Sequence, residues 1–79
     1  MGRPKAKAAR EAWDAGVDYA RDLTAWHPDW DADQCERELE GCCMDLVGGD
    51  EVAADWACDG GRDAIRKHFA KGNEHGKAK

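Results

Sequence analysis

Carboxylates at helical spacing are the residues of this chain best placed to do chemistry. Glu11, Asp14, Asp18 and Asp22 stand at steps of three, four and four. Asp33, Glu36 and Glu40 repeat the steps three and four, and Glu51, Asp55, Asp59 and Asp63 keep to four throughout. On an α-helix such steps align side chains on one face, roughly 5–6 Å apart, where like charges repel. The chemistry open to these rows is electrostatic: attraction of a basic surface, faster docking on it, and loss of both as salt rises.

The rows lie in a segment that stability alone would not favour. Between Glu11 and Asp63 there are sixteen acids and only three bases, Arg21, Arg37 and Arg62. In the first helix Lys5, Lys7 and Arg10 occupy the positive end, and Asp18 and Asp22 stand near the negative end. That order opposes the helix dipole, at a few tenths of a kcal/mol for each exposed charge. The third helix runs the favourable way, with Glu51 and Asp55 early and Arg66, Lys67 and Lys71 late. A single carboxylate row offers one charge per ~6 Å of helix axis. Duplex DNA offers about one per 1.7 Å, so rows lying side by side approach its density. Such a surface resembles that of small acidic helical proteins that block restriction or CRISPR nucleases. The resemblance is one of class and rests on charge pattern, not on a motif.

Other constellations point to weaker chemistry. Cys35, Cys42, Cys58 and His68 have the residue types of a zinc site, yet no Cys-x-x-Cys pair is present and Cys42-Cys43 are adjacent. Buried free thiols are the expected state, with no metal and no cofactor. Asp29, Asp31, Asp33 and Glu40 carry the acid spacing of an EF-hand loop, but Gln34 stands where that loop needs glycine. The same residues make a good helix start, so calcium binding is not expected. His27, His68 and His75 have no serine beside them, because the chain contains none. No catalytic residues are assigned, and an enzyme is not expected.

Aromatic and basic residues supply the remaining candidates. Trp13 and Trp56 fall on apolar helix faces and read as core. Trp26 and Trp30 flank His27-Pro28-Asp29 and read as bundle cover or as an interface anchor, a role tryptophan often fills. Met44, on the outer side of the second helix, adds an apolar contact there. Gly2-Arg3-Pro4-Lys5 resembles the core of an AT-hook, a minor-groove DNA motif, with Met1 in place of its first arginine. Residues 1–10 hold four bases and no acid, and residues 64–79 five bases and one acid.

These residues need elements to hold them, and 79 residues allow one domain. Leu, Ile, Val and Phe number only eight, which predicts a thin core completed by a partner or a second copy. No stretch is apolar enough for a membrane span or signal core. A cytoplasmic protein is expected, with Cys35, Cys42, Cys43 and Cys58 reduced. Heavy Ala, Asp and Gly usage suits a GC-rich genome, such as that of a phage or mobile element.

Ala9, Trp13, Val17, Ala20 and Leu23 predict a first helix from about Ala8, ending before His27-Pro28. Asp31 and Gln34 form a capping box for a second, whose seam is Ala32, Cys35, Leu39, Cys42 and Leu46. Gly48-Gly49 ends it. Asp50 caps a third helix carrying Val52, Trp56, Ala64, Ile65 and Phe69, in which Gly60-Gly61 predicts a kink or break. The fold class is all-α, a small three-helix bundle. Its single domain spans 8–71, between a basic tail at 1–7 and a basic polar tail at 72–79.

The expected function is that of a non-enzymatic interaction protein, binding and occluding a basic surface of a larger, nucleic-acid-handling protein. Contact is expected through Glu11, Asp14, Asp18 and Asp22, then Asp33, Glu36 and Glu40, with Trp26 and Trp30. One alternative is a nucleic-acid-binding accessory protein acting through Arg3, Lys5, Lys7, Lys77 and Lys79. The other is a self-associating structural subunit of a virion or larger complex.

Overall fold

The computed structural model describes the backbone of residues 4–77 and the side chains of residues 4–70. Three helices follow one another: α1 Lys7–Trp26, α2 Ala32–Leu46 and α3 Glu51–Lys77. Their ends are set by local chemistry. The N–H of His27 still reaches the Leu23 carbonyl at 2.9 Å, and Pro28 then bars another turn. Asp31 accepts from the Gln34 N–H at 2.9 Å while the Gln34 side chain accepts from the Asp31 N–H at 3.0 Å, closing the capping box. Gly48 and Gly49 take φ of 68° and 88°, the left-handed region where a side chain is strained. Asp50 then accepts from the N–H groups of Val52 and Ala53.

Short connections make α2 antiparallel to both neighbours, so α1 and α3 run parallel. The largest fully buried side chains are Leu23, Leu39, Ile65 and Cys35. Full burial of a large aliphatic group contributes about 1.5–3 kcal/mol. Tyr19, Trp30, Ala32, Leu46, Ala64 and Phe69 pack around this small core from partly buried positions.

Glycine decides how α1 meets α3. A Cβ at Gly16 would collide with the carbonyl of Ala57, and one at Gly60 with the carbonyl of Trp13. At Gly61 it would strike the methyl groups of Leu39 and lie 3.0 Å from the Gly16 carbonyl oxygen. Gly60-Gly61 therefore does not break the helix: α3 is continuous from Glu51 to Lys77. The pair is there for contact, because only a residue without Cβ lets a second helix come so near. α3 also passes Gly72, where the sequence suggests that a polar tail begins.

Three further expectations are corrected. Cys43, not Cys42, lies on the buried seam of α2 with Cys35 and Leu39. A step of three from Leu39 reaches Cys42 and a step of four reaches Cys43, so helical spacing alone admits either, and the packing of α2 against α3 selects Cys43. Val52 is 69% exposed rather than core, and Trp56 is only half-buried. Ala54, Ala57 and Ile65 take the inner face of α3, where the main chain of Ala57 lies against Gly16 of α1. Finally, the four cysteines are not all free: Cys43 and Cys58 form a disulfide, with a Cα–Cα separation of 5.9 Å.

Candidate functional site

The acidic rows fall into two electrostatic classes once the helices pack. On α1, Glu11, Asp18 and Asp22 are exposed and Asp14 is half-buried. The row lies opposite the buried side, formed by Ala12, Trp13, Gly16, Ala20 and Leu23. Among the described residues, Glu11, Asp18 and Asp22 make no ion pair. Steps of four then carry the face from Asp18 through Asp22 to Trp26, whose indole is 63% exposed. Trp26 therefore stands at the C-terminal end of the acid row.

The α2 row is partly neutralised. Arg62 on α3 hydrogen-bonds Glu40 through Nη2, and its Nε lies 3.8 Å from Glu36 Oε1. Asp33 remains exposed in the first turn of α2. Glu36 and Glu40 thus serve the α2–α3 contact before any partner. In the sequence Arg62 stands out only as a rare base among acids. Its signal is that rarity, since one of only three bases among the sixteen acids of residues 11–63 has many carboxylates to bridge on a neighbouring helix. On α3, Asp63 is paired with Lys67 at 3.0 Å.

The aromatic candidates also divide. Trp30 is half-buried against the core, and its ring stacks on His27 at 3.7 Å between centroids and 7° between planes. It closes the α1–α2 end of the bundle, leaving Trp26, the last residue of α1, as the exposed indole there. Met44 is 41% exposed on α2. Of the basic candidates, Lys5 and Lys7 are exposed at the start of α1. Arg3, Lys79 and the side chain of Lys77 lie outside the described residues.

Cys35, Cys42, Cys58 and His68 do not converge, because Cys58 is joined to Cys43. Among the described residues no group of three or more His, Cys, Asp or Glu is placed to hold a metal ion. The acids of the EF-hand-like pattern form the capping box and first turns of α2 instead of a loop. Cys42 turns toward α1, where the phenol of Tyr19 donates to its sulfur at 3.1 Å. That hydrogen bond, then burial, then the negative charge of Cys42 and of Glu38 push the Tyr19 phenol up to about 12.

Tyr19 is the single tyrosine of the chain, so its titration can be read directly. Phenolate absorbance near 295 nm is expected with a midpoint near 12, against an ordinary value of about 10. The folded chain holds this proton more tightly than the unfolded chain. The stability that Tyr19 contributes is therefore full below pH ~10 and lost as pH rises toward ~12. Cys42→Ala should move the midpoint back toward 10, and an unmoved midpoint would show that the thiol does not hold the phenol.

A groove of about 620 Å³ runs between α1 and α3, lined by Trp13, Val17, Ala20 and Ala64 and edged by the exposed Arg21 and Lys67. Among the described residues no helix is long and apolar enough to cross a membrane. Compared with known proteins, the chain matches no family model, no curated protein and no solved structure.

Proposed function

We propose that the protein is a small non-enzymatic inhibitor of the DNA-mimic type. It binds a basic surface of a nucleic-acid-handling protein through the outer face of α1 and occludes it. The observation that carries this reading is the row Glu11, Asp18 and Asp22, exposed and free of ion pairs among the described residues, ending in the exposed Trp26. Carboxylates would steer the encounter and set its orientation. An indole at the end of the row would supply the apolar anchor that charge alone lacks. Asp14 and Asp33 extend the surface, and Glu36 and Glu40 are secondary because Arg62 already holds them. A phage-encoded protein acting in the cytoplasm of its host belongs to the same proposal, since targets of this kind work there.

The test is capture of the target from host lysate, followed by competition with duplex DNA for the purified target. Wild-type chain should displace DNA, and its affinity should fall at least tenfold between 50 and 200 mM salt, an order-of-magnitude expectation from screening. Glu11→Lys, Asp18→Lys and Asp22→Lys combined should abolish binding without changing helical circular dichroism, since all three side chains are exposed. Equal binding by this variant would defeat the proposal.

A further inference from the structure

We propose that the Cys43–Cys58 disulfide is a redox switch on the fold, fixing α2 to the α1–α3 pair when oxidised and leaving a much weaker bundle when reduced. α1 and α3 meet backbone to backbone through Gly16, Gly60 and Gly61. α2 has no such contact. It is held by Leu39 against Gly61, by the partly exposed bridge from Arg62 to Glu36 and Glu40, and by the Tyr19–Cys42 hydrogen bond. The disulfide is the one covalent tie between α2 and α3 apart from the chain itself, and it stands close to the Arg62 bridge in an antiparallel register. With only Leu23, Leu39, Ile65 and Cys35 as large fully buried side chains, the core leaves little margin if that tie opens.

The chemistry has a direction. Cys43 is buried and its sulfur lies 3.0 Å from the Leu39 carbonyl oxygen, whereas Cys58 is half-buried. A dithiol reductant therefore reaches Cys58 first. Its thiolate attacks Cys58 Sγ, forms a mixed disulfide and expels Cys43 as thiolate, which takes up a proton. The second thiol of the reductant then displaces Cys58, leaving two protein thiols and one oxidised reductant. The oxidised form of the same couple runs the sequence backwards. The remaining cysteines stand apart from this exchange. Cys42 faces Tyr19 of α1, one residue and about 100° of helical turn from Cys43. Cys35 is fully buried, and that burial pushes its thiol up and keeps it protonated.

The experiment is thermal unfolding of the full chain by circular dichroism, with and without a dithiol, beside peptide mapping of alkylated protein. For a cross-link spanning 15 residues, reduction is expected to lower the Tm by ~12–24 °C in a domain of this size. Cys43→Ala/Cys58→Ala should melt at the lower temperature in both conditions. Cys42→Ala should respond to reductant as the wild type does. Wild-type protein with four alkylatable thiols in the absence of reductant would overturn the proposal. So would a disulfide mapped to another pair, or a Tm that reductant leaves unmoved.

Discussion

Gly16→Ala should destabilise the bundle by about 3 kcal/mol, the upper part of the range for overpacking a core. A single methyl group rarely does this, and on an ordinary helix it would help. Alanine is favoured over glycine in a helix interior by about 1 kcal/mol. At Gly16 that gain is overwhelmed, because the added carbon meets the main chain of Ala57. A side chain can rotate away from an intruder, but a helix backbone can only move as a unit. α1 and α3 would have to part along their length, opening space around Leu23 and Ile65. Gly41→Ala is the control. Gly41 lies exposed within α2, with nothing near its missing Cβ, so this change should stabilise by about 1 kcal/mol. Urea melts of the two variants should shift in opposite directions. A neutral Gly16→Ala would mean that the helices do not approach as described.

Leu39→Ala should cost about 2–5 kcal/mol, the range for a buried leucine truncated to alanine. Leu39 is fully buried, and its methyl groups sit against Gly61 at the point where all three helices meet. Truncation removes the side chain that fills the space left by the glycine, and the stiff backbones around it cannot close the gap. A domain of 79 residues holds roughly 4–12 kcal/mol of net stability. The loss is thus a large share of the total and should lower the Tm by at least ~8 °C. Leu46→Ala, at a half-buried position, should cost less. Equal effects at the two sites would show that Leu39 is not the centre of the core.

What the sequence made legible was local. The Asp31–Gln34 box, the Gly48-Gly49 stop, the Asp50 cap and the end of α1 before His27-Pro28 depend on residues within a few positions of each other. Each is written into the chain where it acts. The all-α class followed from apolar periodicity for the same reason. Gly60-Gly61 predicts a kink or break that the structure does not have, because a glycine in a helix has two meanings, a weak point or a contact point. The choice between them lies with Trp13 and Leu39, far away in the chain. The partial neutralisation of Glu36 and Glu40 was hidden likewise, since it depends on Arg62 arriving from another helix. Cys42 and Cys43 differ by one residue, and periodicity fixes a helix face no more finely than that. The disulfide is not legible in the sequence, because Cys43 and Cys58 stand on different helices and only their packing brings the two sulfurs together. The acid row of α1 was readable because it lies on the outward side of a single helix.

The crossing of α1 and α3 also bears on the order in which the chain can fold as it is made. The residues that bring the two helices together, Gly16 and Gly61, are separated by the whole of α2, both connections and parts of α1 and α3. At a synthesis rate of roughly 5–20 residues per second, α1 is complete about 2–7 s before Gly61 is even polymerised. During that interval Trp13 and Leu23 have only α2 to shelter them, so the nascent chain presents an apolar face that the finished molecule hides. Folding must then wait for a distant closure instead of proceeding helix by helix, which slows it relative to bundles stabilised by sequential neighbours. A pause in translation just before Ala57 would lengthen the exposure, and a chaperone that binds apolar helices would find its substrate there.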